Sequence, residues 1–245
     1  MENSIIQNIE FTNQRISKAC IEHGRNPNDV KLLLATKTVS AENIKLAFLQ
    51  GQTLIGENKV QELKEKYDAL REISHITHFI GHLQSNKIKE VLKYAQCIQS
   101  VDRIDLVQKL DQQLQLEGRQ QEIMLQINTS AESSKFGANP SEAIAFAKVV
   151  SQYDTLKVTG LMTIGIFKAP EQEIRKCFKL LRNIQLEINA LDLPNFNLKE
   201  LSMGMSNDLE IAIEEGATIV RVGTAIFGTR IYPDSYYWNE KINTK

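Results

Sequence analysis

Apolar residues recur along this chain with two different periods. Ile5, Ile9, Ile16 and Cys20 follow helical spacing, and the pattern stops at Gly24 and Pro27, which predicts an opening amphipathic helix over 1–24. Eight short strand-like runs then follow, at 31–38, 53–56, 77–81, 95–101, 122–128, 157–164, 198–203 and 218–227. The segments between them have helical periodicity, at 41–50, 60–70, 87–94, 104–116, 141–153, 171–191 and 207–215. Gly51, Gly118 and Gly216 stand where helices should stop and turn into the next strand.

Strands that alternate with helices pair in parallel through right-handed crossovers, because each helix returns the chain to the same end of the sheet. Eight such units after one extra helix predict an α/β fold, a single (β/α)₈ barrel of TIM type over 31–230, followed by a tail at 231–245. A doubly wound open sheet is the alternative with the same pattern. Five prolines and no Ser- or Gly-rich stretch give no sign of a linker or a second domain.

Composition narrows the function. The 29 basic side chains are matched by 30 acidic ones, for a net charge of −1, so the chain lacks the basic excess of a nucleic-acid binder. Three cysteines without paired spacing point to neither a disulfide framework nor a zinc site, and a reducing cytoplasm is expected. No segment approaches the ~20 apolar residues that span a bilayer, and the first 20 residues lack the apolar core of a signal peptide. A monomer that touches neither membrane nor nucleic acid is expected.

In a barrel of this kind, chemistry belongs at the C-terminal ends of the strands. There, Lys37 closes the apolar run Leu32-Leu33-Leu34-Ala35-Thr36, with Ala35 and Lys37 on one face and Leu34 and Thr36 on the other. A partly desolvated amine there can attack a carbonyl and form a Schiff base, although a solvated strand-end lysine gives the same pattern. After the seventh strand, Ser202-Met203-Gly204-Met205-Ser206-Asn207-Asp208 opens a helix, with Ser206 or Asn207 as its expected N-cap. The eighth run supplies Arg221-Val222-Gly223-Thr224, and loops seven and eight are the usual phosphate cradle of the barrel. An amine beside a phosphate cradle suits pyridoxal phosphate, which needs both.

At these residues the sequence resembles the pyridoxal phosphate homeostasis proteins, relatives of the N-terminal barrel of alanine racemase. The matching blocks begin with Ala35-Thr36-Lys37-Thr38, Ile55-Gly56-Glu57-Asn58 with Val60-Gln61-Glu62, and His78-Phe79-Ile80-Gly81 with Leu83-Gln84-Ser85-Asn86-Lys87. They continue through Gln126-Ile127-Asn128, Ser134-Lys135-Phe136-Gly137, Gly160-Leu161-Met162-Thr163, 202–208 and 221–228. The resemblance implies that Lys37 carries pyridoxal 5'-phosphate as a Schiff base, that Ser206, Gly223 and Thr224 hold its phosphate, and that Arg221 faces the pyridine nitrogen. It also implies that Asn58, Met162 and Met203 line the ring pocket.

Two departures from the racemase pattern shape the expected function. Racemases of that type add a β-rich domain that supplies a tyrosine base, whereas this sequence stops at Lys245, soon after the last strand. An arginine at the pyridine nitrogen also opposes its protonation and weakens the ring as an electron sink. The expectation is a non-catalytic carrier or regulator in vitamin B6 and amino-acid homeostasis, with pyridoxal phosphate-dependent apoenzymes as possible recipients. A weak amino-acid racemase using a base such as His82, and a barrel enzyme for a sugar or nucleotide phosphate, are the alternatives. His75, His78 and His82 are not expected to share a metal, Lys135 reads as an exposed loop lysine in preference to one that contacts a ligand or receives the aldehyde during transfer, and Glu62-Leu63-Lys64-Glu65-Lys66 reads as a solvated helix face.

Overall fold

A computed structural model describes residues 2–132, 135–166 and 168–228. Helix α1 (Glu2–Glu22) precedes eight strands: β1 (Lys31–Ala35), β2 (Leu54–Glu57), β3 (Ile76–Phe79), β4 (Cys97–Val101), β5 (Gln121–Gln126), β6 (Leu156–Met162), β7 (Phe196–Ser202) and β8 (Ile219–Val222). They close in sequence order into a parallel barrel, β8 returning to β1 with Leu33 opposite Arg221. The open-sheet alternative is thereby excluded.

Helices α2 (Ala41–Leu49), α3 (Val60–Leu70), α4 (Ile88–Tyr94), α5 (Ile104–Glu117), α6 (Ala143–Val150), α7 (Glu171–Asn189) and α8 (Leu209–Glu214) fill the crossovers, and α9 (Thr224–Phe227) follows β8. Gly118 ends α5 with φ 63°, the left-handed conformation expected of a helix-stopping glycine.

Strand alternation splits the apolar residues into two layers. Leu33, Cys97, Met124, Met162 and Ile219 form a small cluster inside the barrel, and a much larger cluster, including Leu34, Ile55, Ile98, Leu110 and Phe178, lies between strands and helices. Helix α1 lies against α8 and α9, at the end of the chain's circuit around the barrel.

Most predicted element ends shift by one to three residues, and three of the shifts bear on the site. The eighth strand stops at Val222 rather than 227, and Ala225, Ile226 and Phe227 belong to α9. A short apolar run has no period that separates a strand from a buried helical turn. The first strand stops at Ala35, and Thr36-Lys37-Thr38 form a turn in which the Val39 amide donates to the Thr36 carbonyl. The helix after β7 begins at Leu209, with Asp208 rather than Ser206 or Asn207 at the N-cap. The predicted tail at 231–245, and the barrel's last two predicted residues, lie outside the described residues.

Candidate functional site

Lys37 follows the inward parity of Leu33 and Ala35 and is only 4% exposed, so the bland description of a solvated strand-end lysine fails. Its flanking residues are held from the opposite side of the barrel wall. Thr36 Oγ1 donates to Glu57 Oε1 (2.5 Å), and Lys66 Nζ, reaching in from α3, donates to Thr36 O (2.8 Å), Glu57 Oε1 (2.7 Å) and Glu62 Oε2 (2.9 Å). Glu62 in turn accepts from the backbone amide of Thr38, a non-glycine residue at φ 65°. Three side chains therefore fix the turn that carries Lys37, one of whose residues sits in a region side chains disfavour.

Within this clamp Glu57 is 1% exposed, and its Oε2 has no hydrogen-bond partner among the described residues. Burial pushes its carboxyl up to about 7, against the pull of the Lys66 charge and the Lys66 and Thr36 hydrogen bonds. The run at 62–66 is thus only partly the solvated face that its charges suggested: Lys64 and Glu65 are exposed, whereas Lys66 and Glu62 turn inward.

Arg221 ends β8 on the inside of the barrel, 6% exposed. Its Nη1 donates to Ser202 Oγ (2.8 Å) and its Nη2 to the Thr163 carbonyl (2.7 Å). Ser202 donates to Gln99 Oε1 (2.6 Å), and the Gln99 amide meets His78 Nδ1 (2.7 Å). Burial lowers the guanidinium to about 10, with Asp208 opposing the shift, so Arg221 stays a cation at neutral pH. Its remaining N–H donors have no partner among the described residues.

The loops after β7 and β8 meet at Ser206, whose Oγ lies 3.4 Å from Thr224 Oγ1 and accepts from the Ala225 amide at 3.4 Å. Gly223, at the start of α9, packs so closely on β1 that a Cβ there would stand 3.0 Å from Ala35 O. Ser206 thus serves α9 rather than α8, while the α8 cap position goes to Asp208, which accepts from the Met205 amide (2.6 Å). Both loops are braced by α1, a contact that no sequence motif announced. Arg15 donates to Ser206 O (3.0 Å) and to both carboxylate oxygens of Glu210, and Asn8 donates to Ile226 O (3.0 Å).

The family model of the alanine racemase N-terminal domain matches residues 19–231. Pyridoxal phosphate homeostasis proteins of Aquifex aeolicus and Escherichia coli K12 are 39% and 37% identical over 219 and 234 residues, which is 89% and 94% of this chain and 95% and 98% of theirs. The chain belongs to the pyridoxal phosphate homeostasis protein family. The structure of PipY from Synechococcus elongatus PCC7942 with PLP bound is 32% identical at a TM-score of 0.77, covering 87% of this chain and all of that one. Alanine racemase of Clostridium difficile 630, 14% identical at a TM-score of 0.74 and 58% covered, shares the barrel fold alone.

In this member of the homeostasis family the other expected site residues fall into two groups. Met162 lies in the interior cluster, and Asn58, half-buried, continues β2, its carbonyl against Gly81. Met203 departs from the expected ring pocket: it packs in the outer cluster, because Ser202 takes the inward position of β7 and the next residue points the other way. Lys135 is not an exposed loop lysine. Its Nζ binds Glu132 (2.6 Å) and the Gly165 carbonyl (2.7 Å), tying the loop after β5 to the loop after β6.

The three histidines go separate ways: His75 stacks on Phe48, His78 binds Gln99, and His82 stacks on Phe136 with centroids 3.8 Å apart. No cluster of metal-ligating side chains occurs among the described residues. Nor is any described helix long and apolar enough to cross a membrane.

Proposed function

We propose that this protein binds pyridoxal 5'-phosphate through Lys37 and serves as a carrier or regulator of the cofactor rather than as an efficient enzyme. The observation that carries this reading is the convergence on one barrel end of a buried lysine, a buried arginine, and the Ser206–Thr224 pair of the last two loops. Each matches one part of the cofactor. The Lys37 amine suits the aldehyde, with which it condenses to a Schiff base and one water. Ser206, Gly223 and Thr224 suit the phosphate, through hydroxyls and the first amides of α9. Arg221 suits the ring nitrogen as a donor, while Asn58, just after β2, and Met162, at the inner end of β6, flank the ring on this reading.

When bound, the cofactor supplies an electrophilic aldehyde and a ring able to delocalise charge. This chain's residues limit that ability. Arg221 stays protonated and offers a proton donor to the ring nitrogen, and a nitrogen that only accepts a hydrogen bond draws charge less strongly than a protonated one. Names given to the relatives describe homeostasis rather than a reaction, in keeping with a holding role. On this reading the protein acts as a monomer, stores the cofactor in the cytoplasm, and passes it to pyridoxal phosphate-dependent apoenzymes, linking it to amino-acid balance.

The test is borohydride reduction after incubation with pyridoxal phosphate, followed by peptide mass mapping. A phosphopyridoxyl group on Lys37, absent from Lys37→Ala, is the expected result. No adduct in the wild-type protein would sink the Schiff-base reading.

A further inference from the structure

We infer that Ser202, Gln99 and His78 are positioning residues that fix the Arg221 guanidinium for its contact with the cofactor ring, through one directed hydrogen-bond chain across the barrel. The chain runs from β8 through β7 and β4 to β3, with steps of 2.8, 2.6 and 2.7 Å. Its four members are 6%, 0%, 0% and 8% exposed, so water does not compete for any link. The inference rests on the cofactor reading proposed above.

The direction of every link follows from the charge at one end. A guanidinium can only donate, so Ser202 Oγ must accept from Nη1. The single Ser202 hydroxyl proton then has Gln99 Oε1 as its acceptor. With its oxygen so used, Gln99 presents its amide N–H to His78 Nδ1, which accepts, and the ring proton sits on Nε2. Turning the Gln99 amide over would point its N–H at Ser202 Oγ, leaving the Ser202 proton without an acceptor, and would set two acceptors against each other at His78 Nδ1. A buried group left so costs far more than a bond gained at the surface.

Geometry at the far end shows what the chain controls. Arg221 is held at two points, Ser202 Oγ and the Thr163 carbonyl, which fixes the guanidinium plane and so the direction of its other N–H groups. Leu33, Cys97, Met124, Met162 and Ile219 pack as an apolar cluster inside the barrel, with buried Gln126 on the same parity as Met124 and the charges of Lys31 and Glu200 acting on His78. A core selected for stability alone would continue that packing, since apolar residues of similar volume fill such sites at no lower stability than polar networks. An interior line of three polar side chains that ends on the ring-facing arginine is better explained by orientation. A neutral His78 fits the same picture, because burial holds its ring down to about 4.

The experiment compares wild-type protein, Gln99→Leu, Ser202→Ala and Ser202→Thr, each loaded with pyridoxal phosphate. The readouts are the visible absorption band of the bound cofactor, its dissociation constant, borohydride labelling of Lys37, and ¹⁵N resonances of His78 in the cofactor-free protein. Gln99→Leu and Ser202→Ala should still be labelled at Lys37 but bind about tenfold more weakly, as expected for a displaced charged donor, with a shifted band. Ser202→Thr, which keeps the hydroxyl, should restore both, and only Gln99→Leu among the stable variants should free the His78 Nδ1 resonance from its hydrogen bond. Should Gln99→Leu fail to fold, the Ser202 pair carries the comparison. If wild-type Lys37 is labelled while both chain-breaking variants keep the wild-type band and affinity, this inference fails alone. If wild-type Lys37 takes no label, the cofactor reading fails and the inference falls with it.

Discussion

Replacing Lys66 with methionine isolates what the outer clamp does for the Lys37 turn, and its effect should depend on pH with a defined sign. Lys66 is 11% exposed and Glu57 1%, and the substitution leaves Glu57 with only the Thr36 hydroxyl. Below pH 6 Glu57 is largely protonated in either protein, because burial already holds its wild-type carboxyl near 7. The cost there is the lost bond to the Thr36 carbonyl and a partly exposed pair with Glu62, together about 1 to 2 kcal/mol. Above pH 7 the two proteins diverge. Wild-type Glu57 gives up its proton to lie beside Lys66, whereas the variant's carboxyl, pushed higher without that cation, keeps it. Its unfolded chain does not, so the variant's folded state binds one more proton than its unfolded state and loses about 1.4 kcal/mol per pH unit. At pH 8 the total should reach about 3 kcal/mol, the scale of a broken buried pair. Urea unfolding of both proteins at pH 5.5, 7 and 8 measures this, with Lys64→Met, exposed on the same helix, as a control expected within about 0.5 kcal/mol. A penalty that is constant or shrinks toward pH 8 would refute the account of a buried, cation-dependent carboxyl.

Two further outcomes follow from other parts of the site. For His78→Asn, whose amide oxygen can replace Nδ1 as the acceptor, the stability difference from wild type should change with acid: the folded ring titrates near 4 and the unfolded one near 6.5, so wild type loses about 2.5 kcal/mol relative to the variant between pH 7 and 4.5. Urea midpoints at those two pH values check it, and an unchanged difference counts against a buried neutral ring. Arg15→Ala removes the brace between α1 and the Ser206 loop, and should weaken pyridoxal phosphate binding roughly threefold to tenfold while leaving Lys37 open to borohydride labelling. Spectrophotometric titration with the cofactor decides; wild-type affinity would show that the loop holds its shape without α1.

The barrel was legible because its signal is repeated: eight strand-like runs separated by helical periods leave few other topologies. Element ends were less so. Nothing in Thr224-Ala225-Ile226-Phe227 distinguishes a continuing strand from a helical turn, since the run is too short to express a period. Lys37, Ser206, Arg221, Gly223 and Thr224 stood out as candidates because strand ends and barrel topology indicate where ligands bind. The residues that support them were missed for a physical reason: each acts on a partner distant in sequence. Glu62 and Lys66 form an ordinary i,i+4 pair until Glu57, on another element, brings them inward. Gln99 carried a usable signal, a polar residue at the inward parity of Cys97 in a strand without charge, but its meaning depends on Ser202, 103 positions away.

These two supports differ in kind, and the difference follows from where each stands. The Lys37 turn lies in the wall between barrel and helices, where α3 can deliver a charged side chain whose stem remains near solvent, and it is clamped by ions. Arg221 stands inside the barrel with the carboxyl of buried Asp208 acting on it through space, and its direct hydrogen bonds go to uncharged groups passing one polarity from strand to strand. The amine's support should therefore respond to pH near neutrality through Glu57. The arginine's should not, because its neighbours in the chain titrate only near 4 or not at all. A cofactor-binding profile that strengthens between pH 6 and 8 in wild type, as the Glu57–Lys66 ion pair forms, and flattens in Glu57→Gln, with the visible band constant throughout, is the outcome this division requires. A band that moves with pH in that range would place a titrating group next to the ring instead.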